Sequence, residues 1–377
     1  MSFTDLISQA SPISQYLAHR EEIDEALHRV LLKGRYILGE EVEAFEHEMA
    51  RFLSVKYAIG VGSGTAALEI CLRACNIGPG NEVITTAHTA VATVAAIESI
   101  GAKPVLVDIE ERSFLLDVTQ IEKMVSTRTK AIVPVHLYGQ PADLSQILLL
   151  AQKHGLAVIE DCAQAIGASY KGRFAGTWGN LAAFSFYPTK NLGAIGDGGL
   201  VATDDSALAS RVRSLREYGW QQRYISAIAG TNSRLDELQA AILRVKLTYL
   251  DRENERRIAI ACRYSEALSR LVDVPCVETS RKHVFHLYVI RTRERDNLQR
   301  FLRQHGVDSG IHYPVPVHLQ PAYAGRFGDV GSYPVTEAAS KEILSLPVYP
   351  ELSDAQCEKV ICAVRSFFGD CGNGRSV

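Results

Sequence analysis

Residues 181–203 read Leu-Ala-Ala-Phe-Ser-Phe-Tyr-Pro-Thr-Lys-Asn-Leu-Gly-Ala-Ile-Gly-Asp-Gly-Gly-Leu-Val-Ala-Thr, two apolar runs with a single lysine between them. Residues 181–184 and 200–203 are short, uncharged and apolar, the composition of strands buried on both faces. Lys190 stands in the connection among small and apolar residues. Desolvation disfavours an ammonium, so such a lysine can be neutral near pH 7 and can attack a carbonyl. That is what a Schiff-base lysine requires. Gly196, Gly198 and Gly199 let the backbone pass close to a bound group. A solvated lysine at a loop tip fits the same local sequence, and for Lys190 alone that is the commoner case. The rest of the chain decides between them.

Upstream, strands and helices alternate. Residues 21–32 and 40–52 carry apolar stripes at helical spacing. A strand at 57–61 leads into Gly62-Ser63-Gly64-Thr65 and a helix over 66–75. A strand, a small-residue turn and a helix N-terminus form an anion site, because free N–H groups and the positive end of the dipole point at the ligand. A plain tight turn is an equal reading on local grounds. Strands follow at 82–86, 103–108, 131–135 and 157–161, with helices at 90–99, 118–124 and 144–154 between them. This alternation predicts an α/β fold with a largely parallel sheet wrapped on both faces. In such sheets ligands gather at the carboxyl ends of strands. Downstream, residues 235–250 read as a long helix continuing into the charged run 251–257, taken as a solvated face. A strand at 286–291, a helix at 295–305 and an extended loop at 313–316 then suggest a smaller α+β unit. The expected division is 1–250 for the large domain with its N-terminal helices and 251–377 for the small one. The tail from 369 onward is small and polar and is expected to fray.

With 377 residues, 47% apolar and 22% charged, the composition is that of a globular protein of two domains. A net charge of -3 gives no electrostatic case for binding nucleic acid or an anionic membrane. No run of about 18 apolar residues predicts a membrane span. No basic-then-apolar leader is seen, so a cytoplasmic location is expected. The eight cysteines contain no CxxC pair, which argues for reduced thiols and against a zinc site; no metal is expected.

Polar residues at the strand ends supply the chemistry. Asp161 closes an apolar strand, with Gln164 three residues on. A carboxylate facing a pyridinium keeps that nitrogen protonated and makes the ring an electron sink, although a helix N-cap is a common use for such an aspartate. Gln164 can donate to a nearby oxygen. Ser185 ends the next strand with a hydroxyl suited to phosphate. His88 can stack on a flat ring, and a hydrogen-bonded structural histidine is at least as frequent. An anion turn, a flat side chain, an acid, a hydroxyl and a desolvated lysine, in that order on a doubly wound sheet, match a phosphate-bearing, aldehyde-bearing pyridine. That cofactor is pyridoxal 5'-phosphate.

Four motifs carry a family resemblance: Gly62-Ser63-Gly64-Thr65-Ala66-Ala67-Leu68, Glu160-Asp161-Cys162-Ala163-Gln164, Phe184-Ser185-Phe186-Tyr187-Pro188-Thr189-Lys190-Asn191-Leu192-Gly193 and Gly230-Thr231-Asn232-Ser233-Arg234-Leu235. Over roughly residues 20–365 the chain resembles the DegT/DnrJ/EryC1/StrS sugar aminotransferases. The resemblance implies fold type I of the pyridoxal phosphate enzymes: a mostly parallel seven-stranded sheet in the large domain, plus a smaller C-terminal α+β domain. It implies that Lys190 bonds covalently to the cofactor, that Asp161 pairs with the ring nitrogen, and that Gln164 lies near the ring hydroxyl oxygen. Gly64, Thr65 and Ser185 would hold the phosphate. Asn232 would reach the phosphate of a partner subunit, making an obligate homodimer with shared active sites. The family usually has an aromatic residue where Ala90 stands, which leaves ring stacking to His88. It often has a glutamate where Asp197 stands.

The implied reaction has two halves, with glutamate as amino donor and a keto sugar as acceptor. Lys190 would serve as both tether and acid/base. The runs at 86–93, 218–220, 232–239 and 313–318 resemble the enzymes that aminate carbon 3 of a dTDP-linked 3-keto-6-deoxyhexose. Tyr218, Trp220, Tyr224, Tyr313 and His318 can stack on or bond to sugar and base, and Arg216 or Arg223 can meet the diphosphate; packing of a domain interface is the plainer use of several of them. Alternatives are amination of carbon 4 of a nucleotide sugar or of an inositol, and a non-catalytic, cofactor-binding regulatory protein. A dehydratase of the same family carries histidine at the lysine position, and Lys190 argues against it.

Overall fold

The computed structural model of the chain describes residues 6–369; the tail expected to fray lies outside them apart from Gly369. Seven strands form the main sheet: β1 (Tyr57–Val61), β2 (Glu82–Thr86), β3 (Lys103–Val107), β4 (Thr129–Ile132), β5 (Ala157–Asp161), β6 (Leu181–Ser185) and β7 (Gly199–Thr203). Their spatial order is β1-β7-β6-β5-β4-β2-β3. Only β7 runs against its neighbours, pairing antiparallel with β1 and β6. The sheet is therefore mostly parallel, and the carboxyl ends of β2, β5 and β6 open on one edge. The fold is α/β, as the alternation predicted.

Alternation along the strands explains how both faces are filled. Ala58, Ala182, Phe184, Leu200 and Ala202 point to one side, against Phe45 and Met49. The intervening Ile59, Val61, Leu181, Ala183 and Val201 point to the other, against Ala67, Leu68 and Ile70. After α1 (Pro12–Ala18) and α2 (Arg20–Lys33), the first layer is built by α3 (Glu40–Leu53) with Leu235, Ala240 and Leu243, while α2 sets Ala26 and Val30 against Ala241; the second layer is built by α4 (Gly64–Ala74) and α5 (Val91–Ser99). Phe184 is 1% exposed, and its truncation to alanine would cost about 3–5 kcal/mol. Two further helices, α6 (Val118–Met124) and α7 (Leu144–His154), cover Ile84, Ile132 and Val158. After β7 come α8 (Ser206–Arg216), a small hairpin at 220–226, α9 (Glu237–Leu247) and α10 (Leu250–Leu268).

The long helix expected from 235 onward is in fact two. Thr248 donates its hydroxyl to the carbonyl of Val245 (2.7 Å), a local bond that competes with helix continuation. Tyr249 then turns to stack on His19, with centroids 4.0 Å apart. The charged run 251–257 is not a solvated face either. Glu253, Asn254 and Arg257 are buried at helical spacing, while Asp251, Arg252 and Glu255 face water. Beyond α10, β8 (Tyr288–Arg291) and β9 (Ile343–Leu346) pair antiparallel. They share a second core with Ile260, Tyr264 and the helix Asp354–Phe367, and Ile7 from the N-terminal segment inserts there.

Candidate active site

A cleft of about 460 Å³ opens at the carboxyl ends of β5 and β6 and holds Lys190, Asp161, Gln164, Ser185, Gly64, Thr65 and Tyr313 in its lining. Lys190 sits on the connection after β6, and that connection is fixed from several sides. Asn191 donates to the side chain of Asn254 (2.7 Å) and to the carbonyl of Val284 (3.0 Å). Gln239 makes two bonds to the backbone of Ile195. A Cβ on Gly193 would lie 2.4 Å from the carbonyl oxygen of Pro188, so the turn tolerates only glycine. Burial pushes the Lys190 amine down to about 8, with the charge of Asp161 pulling the other way. The neutral, nucleophilic form is therefore within reach at ordinary pH.

Asp161 is 4% exposed. Its Oδ1 accepts from the Ala163 amide (3.1 Å) and its Oδ2 from the Thr93 hydroxyl (2.9 Å). Thr93 spends its proton on that carboxylate, so the Thr89 hydroxyl donates to Thr93 in turn (2.9 Å). Burial raises the carboxyl's pKa, and the Ala163 and Thr93 donors hold it down. Gln164 accepts from the Tyr138 amide (2.7 Å) and donates to the Tyr313 hydroxyl (3.0 Å), which fixes both rings relative to β5. At the other end Ser63 caps α4 by accepting from Ala66 N (3.1 Å). The amides of Gly64 and Thr65 remain as the helix's orphan donors. A Cβ on Gly64 would lie 2.6 Å from that of Ser185, so glycine brings this turn against the serine.

Orphan amides beside a serine hydroxyl, a buried carboxylate without a cation, and a lysine inclined to lose its proton suit one molecule with three different ends. Those residues fit pyridoxal phosphate: phosphate at α4 and Ser185, ring nitrogen at Asp161, aldehyde carbon at Lys190. The sequence pattern of the DegT/DnrJ/EryC1/StrS aminotransferase family matches residues 18–365. The chain belongs to that family. It is 48% identical over 350 residues to the dTDP-3-amino-3,4,6-trideoxy-alpha-D-glucose transaminase of Streptomyces venezuelae, covering 92% of each chain. The crystal structure of S. venezuelae DesV in complex with a ketimine intermediate superposes with a TM-score of 0.94 at 47% identity, over 96% of this chain and 98% of that one. The Bacillus subtilis NtdA structure with bound PMP gives a TM-score of 0.88 at 32% identity, over 93% and 82%.

Not every residue singled out in the sequence reaches the cleft of this aminotransferase. His88 is 1% exposed, and its Nε2 bonds the hydroxyl of Tyr138 (2.7 Å). Tyr138 gives its own proton to the carbonyl of His312, so His88 is the donor to Tyr138. With the ring committed there and burial pushing it down to about 4, the stacking role expected of His88 is not available to it; Ala90 is the residue that lines the cleft. His318 is fully buried, bonded to Glu337 (3.1 Å) and edge-on to Tyr333, away from the lining. Arg216 is buried against Glu46 and the carbonyl of Gly60 and cannot meet a diphosphate. Tyr218, Trp220 and Tyr224 form a ring cluster on the hairpin, with centroids 5.3 and 5.4 Å apart, and Tyr224 is 73% exposed. Neither they nor the exposed Asn232 line this chain's own cleft.

The cleft also contains residues that sequence reasoning passed over: Thr93, Arg257, His286, His312 and the segment 9–12 with Gln15. His286 Nε2 lies 3.5 Å from Lys190 Nζ, and burial with the lysine's charge keeps that ring neutral. A buried group beneath the cleft, His136, Glu160 and Cys162, has ligand atoms close enough for a metal. Hydrogen bonds account for it instead. His136 Nδ1 accepts from Ala142 N (3.1 Å) and its Nε2 donates to Glu160 (3.0 Å). Glu160 further accepts from the amides of Gly176, Trp178 and Gly179.

Proposed function

We propose that this aminotransferase moves the amino group of glutamate onto carbon 3 of a dTDP-linked 3-keto-6-deoxyhexose. The observation that carries the reading is the pairing of Lys190 and Asp161 across one cleft, in a chain 48% identical to a transaminase named for a dTDP-3-amino sugar. Bound pyridoxal phosphate supplies an electron sink conjugated to the carbon that loses its proton. The protein's own parts follow from the geometry. Asp161, ionised, holds the proton on the ring nitrogen. The amides of Gly64 and Thr65, with Ser185, hold the phosphate. Lys190, once free, would take a proton from the donor's α-carbon and return it two bonds away, to the carbon on the far side of the donor nitrogen, a transfer that suits a base with a pKa of about 8.

The acceptor end rests on the hairpin. Asn232, Tyr218, Trp220 and Tyr224 are exposed or half-exposed rather than spent in the core, which supports a homodimer whose copies complete each other's clefts. Tyr313 would complete the sugar site from the chain's own side. The division into a cofactor-binding domain ending at 250 and a small domain from 251 belongs to this reading. So does a cytoplasmic location, supported by free thiols at all seven described cysteines.

The test is spectroscopic and chemical. Protein reconstituted with pyridoxal phosphate should absorb at about 410–430 nm, and the band should be missing from Lys190→Ala. With glutamate, a dTDP-3-keto-6-deoxyhexose should gain an amine by mass spectrometry and its 4-keto isomer should not. Cofactor binding without 2-oxoglutarate release would point to a regulatory protein, and amination of only the 4-keto isomer would move the reaction to the neighbouring carbon.

A further inference from the structure

Residues 283–287 lead into β8 and are tied down on both sides. The amides of Val284 and Leu287 donate to the carbonyls of Gly139 (3.0 Å) and Tyr138 (3.3 Å). The carbonyl of Val284 accepts from Asn191, the residue after Lys190 (3.0 Å). His283 stacks on Phe285, with centroids 3.9 Å apart, and its Nδ1 accepts from the Phe285 amide (2.9 Å). His286 is therefore set by its neighbours. Its ring lines the cleft at 7% exposure, with Nε2 3.5 Å from Lys190 Nζ. That distance is the long end of a hydrogen bond, as contacts of catalytic groups often are before a ligand binds. The other ring nitrogen, Nδ1, is buried and makes no hydrogen bond among the described residues.

The contact fixes which nitrogen carries the ring proton. Burial draws the Lys190 amine down to about 8, so below that pH it is an ammonium, with three donors and no lone pair. Nε2 must then accept, and the proton of the neutral ring lies on Nδ1, where no residue takes it. A buried donor left unpaired is costly, and a fold that keeps one calls for a reason. The reason here is the acceptor created on the opposite nitrogen. The ring does not compete for the lysine's proton: burial, then the charges of Lys190, Arg257, His312 and His283, hold its pKa well below the usual histidine value. Asp161 pulls Lys190 the other way, toward its charged form. His286 thus offers the amine a lone pair that stays unprotonated at ordinary pH. Filling the cleft wall is the competing use of the ring, and an apolar side chain of similar size would serve that equally well.

We infer that His286 is a positioning residue for Lys190: its Nε2 keeps one N–H of the freed amine and so leaves the amine's lone pair to face the cleft. This rests on the reading of the protein as an aminotransferase in which Lys190 moves the proton, and adds what aims it. The histidine forms and breaks no covalent bond. The proton passes from the donor's α-carbon to the lysine nitrogen and on to the carbon beyond the donor nitrogen, and the N–H held by His286 is a different one throughout. While the lysine carries the extra proton it is an ammonium, to which a neutral acceptor bonds more strongly than to an amine. Both half-reactions pass their proton through Lys190, so both use the contact.

His286→Leu keeps the bulk and removes the acceptor. His286→Gln returns a polar atom at the reach of Nε2, and His286→Asn returns one only at the reach of Nδ1. In the cofactor-free protein, competitive labelling of Lys190 with acetic anhydride across pH, read by mass spectrometry, gives the dissociation constant of the amine. Losing the acceptor destabilises the ammonium, so the labelling profile should move to lower pH, by about tenfold in proton concentration, in His286→Leu and His286→Asn and return in His286→Gln. In the protein loaded with cofactor, the glutamate half-reaction should slow about tenfold in the same two variants, with a larger isotope effect from α-deuterated glutamate. The Kd of 2-methylglutamate, which lacks the α-proton and so stops after binding, should keep its wild-type value. The asparagine and glutamine variants differ only in reach, so their comparison stands even where His286→Leu fails to fold. A labelling profile unmoved in both His286→Leu and His286→Asn, a His286→Gln as slow as His286→Asn, or a Kd for 2-methylglutamate weakened as much as the rate would each overturn the assignment. A wild-type protein that takes no amine from glutamate, while its labelling profile still responds to these substitutions, would instead sink the functional reading beneath it.

Discussion

The floor of the cleft and the hairpin at 218–226 are built from similar side chains and hold them in opposite ways. On the floor the side chains around the lysine are held before any ligand arrives: Asp161 by Thr93 and Ala163, Gln164 by Tyr138 and Tyr313, the Lys190 connection by Asn254 and Gln239. On the hairpin three rings lean on one another with their outer faces in water, and Tyr218 and Tyr224 take positive φ values of 59° and 70°. The floor is preorganised by one chain; the hairpin waits for something to cover it. This division fits a transaminase in which cofactor chemistry is constant and acceptor recognition is variable, because a rigid scaffold carries the first and a loop the second.

The largest effect that tests this contrast is expected at Asp161. Asp161→Asn is nearly isosteric and keeps the Thr93 and Ala163 contacts within reach, but it removes the charge proposed to hold the ring nitrogen protonated. Turnover should fall about 10²- to 10³-fold while the 410–430 nm band persists. A variant within tenfold of wild type would mean that the floor positions the ring without tuning it.

Thr93→Val comes next and sharpens the same point. The hydroxyl bonds the ionised form of Asp161 and therefore lowers its pKa against the rise that burial imposes. With the donor gone, the folded-state pKa climbs further, so the acid limb of the activity profile should move to higher pH. The rate above that limb should fall roughly tenfold, the worth of one hydrogen bond to a charged group. Thr93→Ser should restore both. A profile that shifts in Thr93→Val and stays shifted in Thr93→Ser would assign the effect to packing in α5 rather than to the bond.

The two regions also differ in how legible they were. Strands at 57–61, 82–86 and 157–161 and helices at 118–124 and 144–154 coincide with their sequence readings, since each is a short apolar run bounded by glycine or polar residues. Lys190, Asp161, Ser185 and the Ser63–Thr65 turn were legible because strand ends in a parallel sheet all open on one edge. Arg257, His286 and His312 were not: they reach the cleft from elements more than 60 residues past Lys190, and local pattern says nothing about which distant strand folds back. Arg257 was concealed further by sitting in a charged run whose exposed members dominate its composition. His88 shows the reverse error. Chemical suitability for stacking was readable, but its place behind Ala90, bonded to Tyr138, depends on a tyrosine 50 positions away.

The smallest effect separates floor from hairpin most cleanly. Trp220 leans on Tyr218 and Tyr224 and is only half-buried, so Trp220→Ala should cost little stability. If the cluster stacks on the nucleotide base of the acceptor, its loss should raise KM for the dTDP sugar about five- to tenfold, the lower range for one ring on one base. The rate of the glutamate half-reaction should stay at its wild-type value, because no atom of the hairpin lines the cleft in which Lys190 and Asp161 meet. Stopped-flow measurement of the two halves makes the comparison within one protein sample. Should the glutamate half slow as much as the sugar half, the rings would be supporting the cofactor of a neighbouring copy rather than the acceptor. The boundary drawn between a constant floor and a variable rim would then have to move to include them.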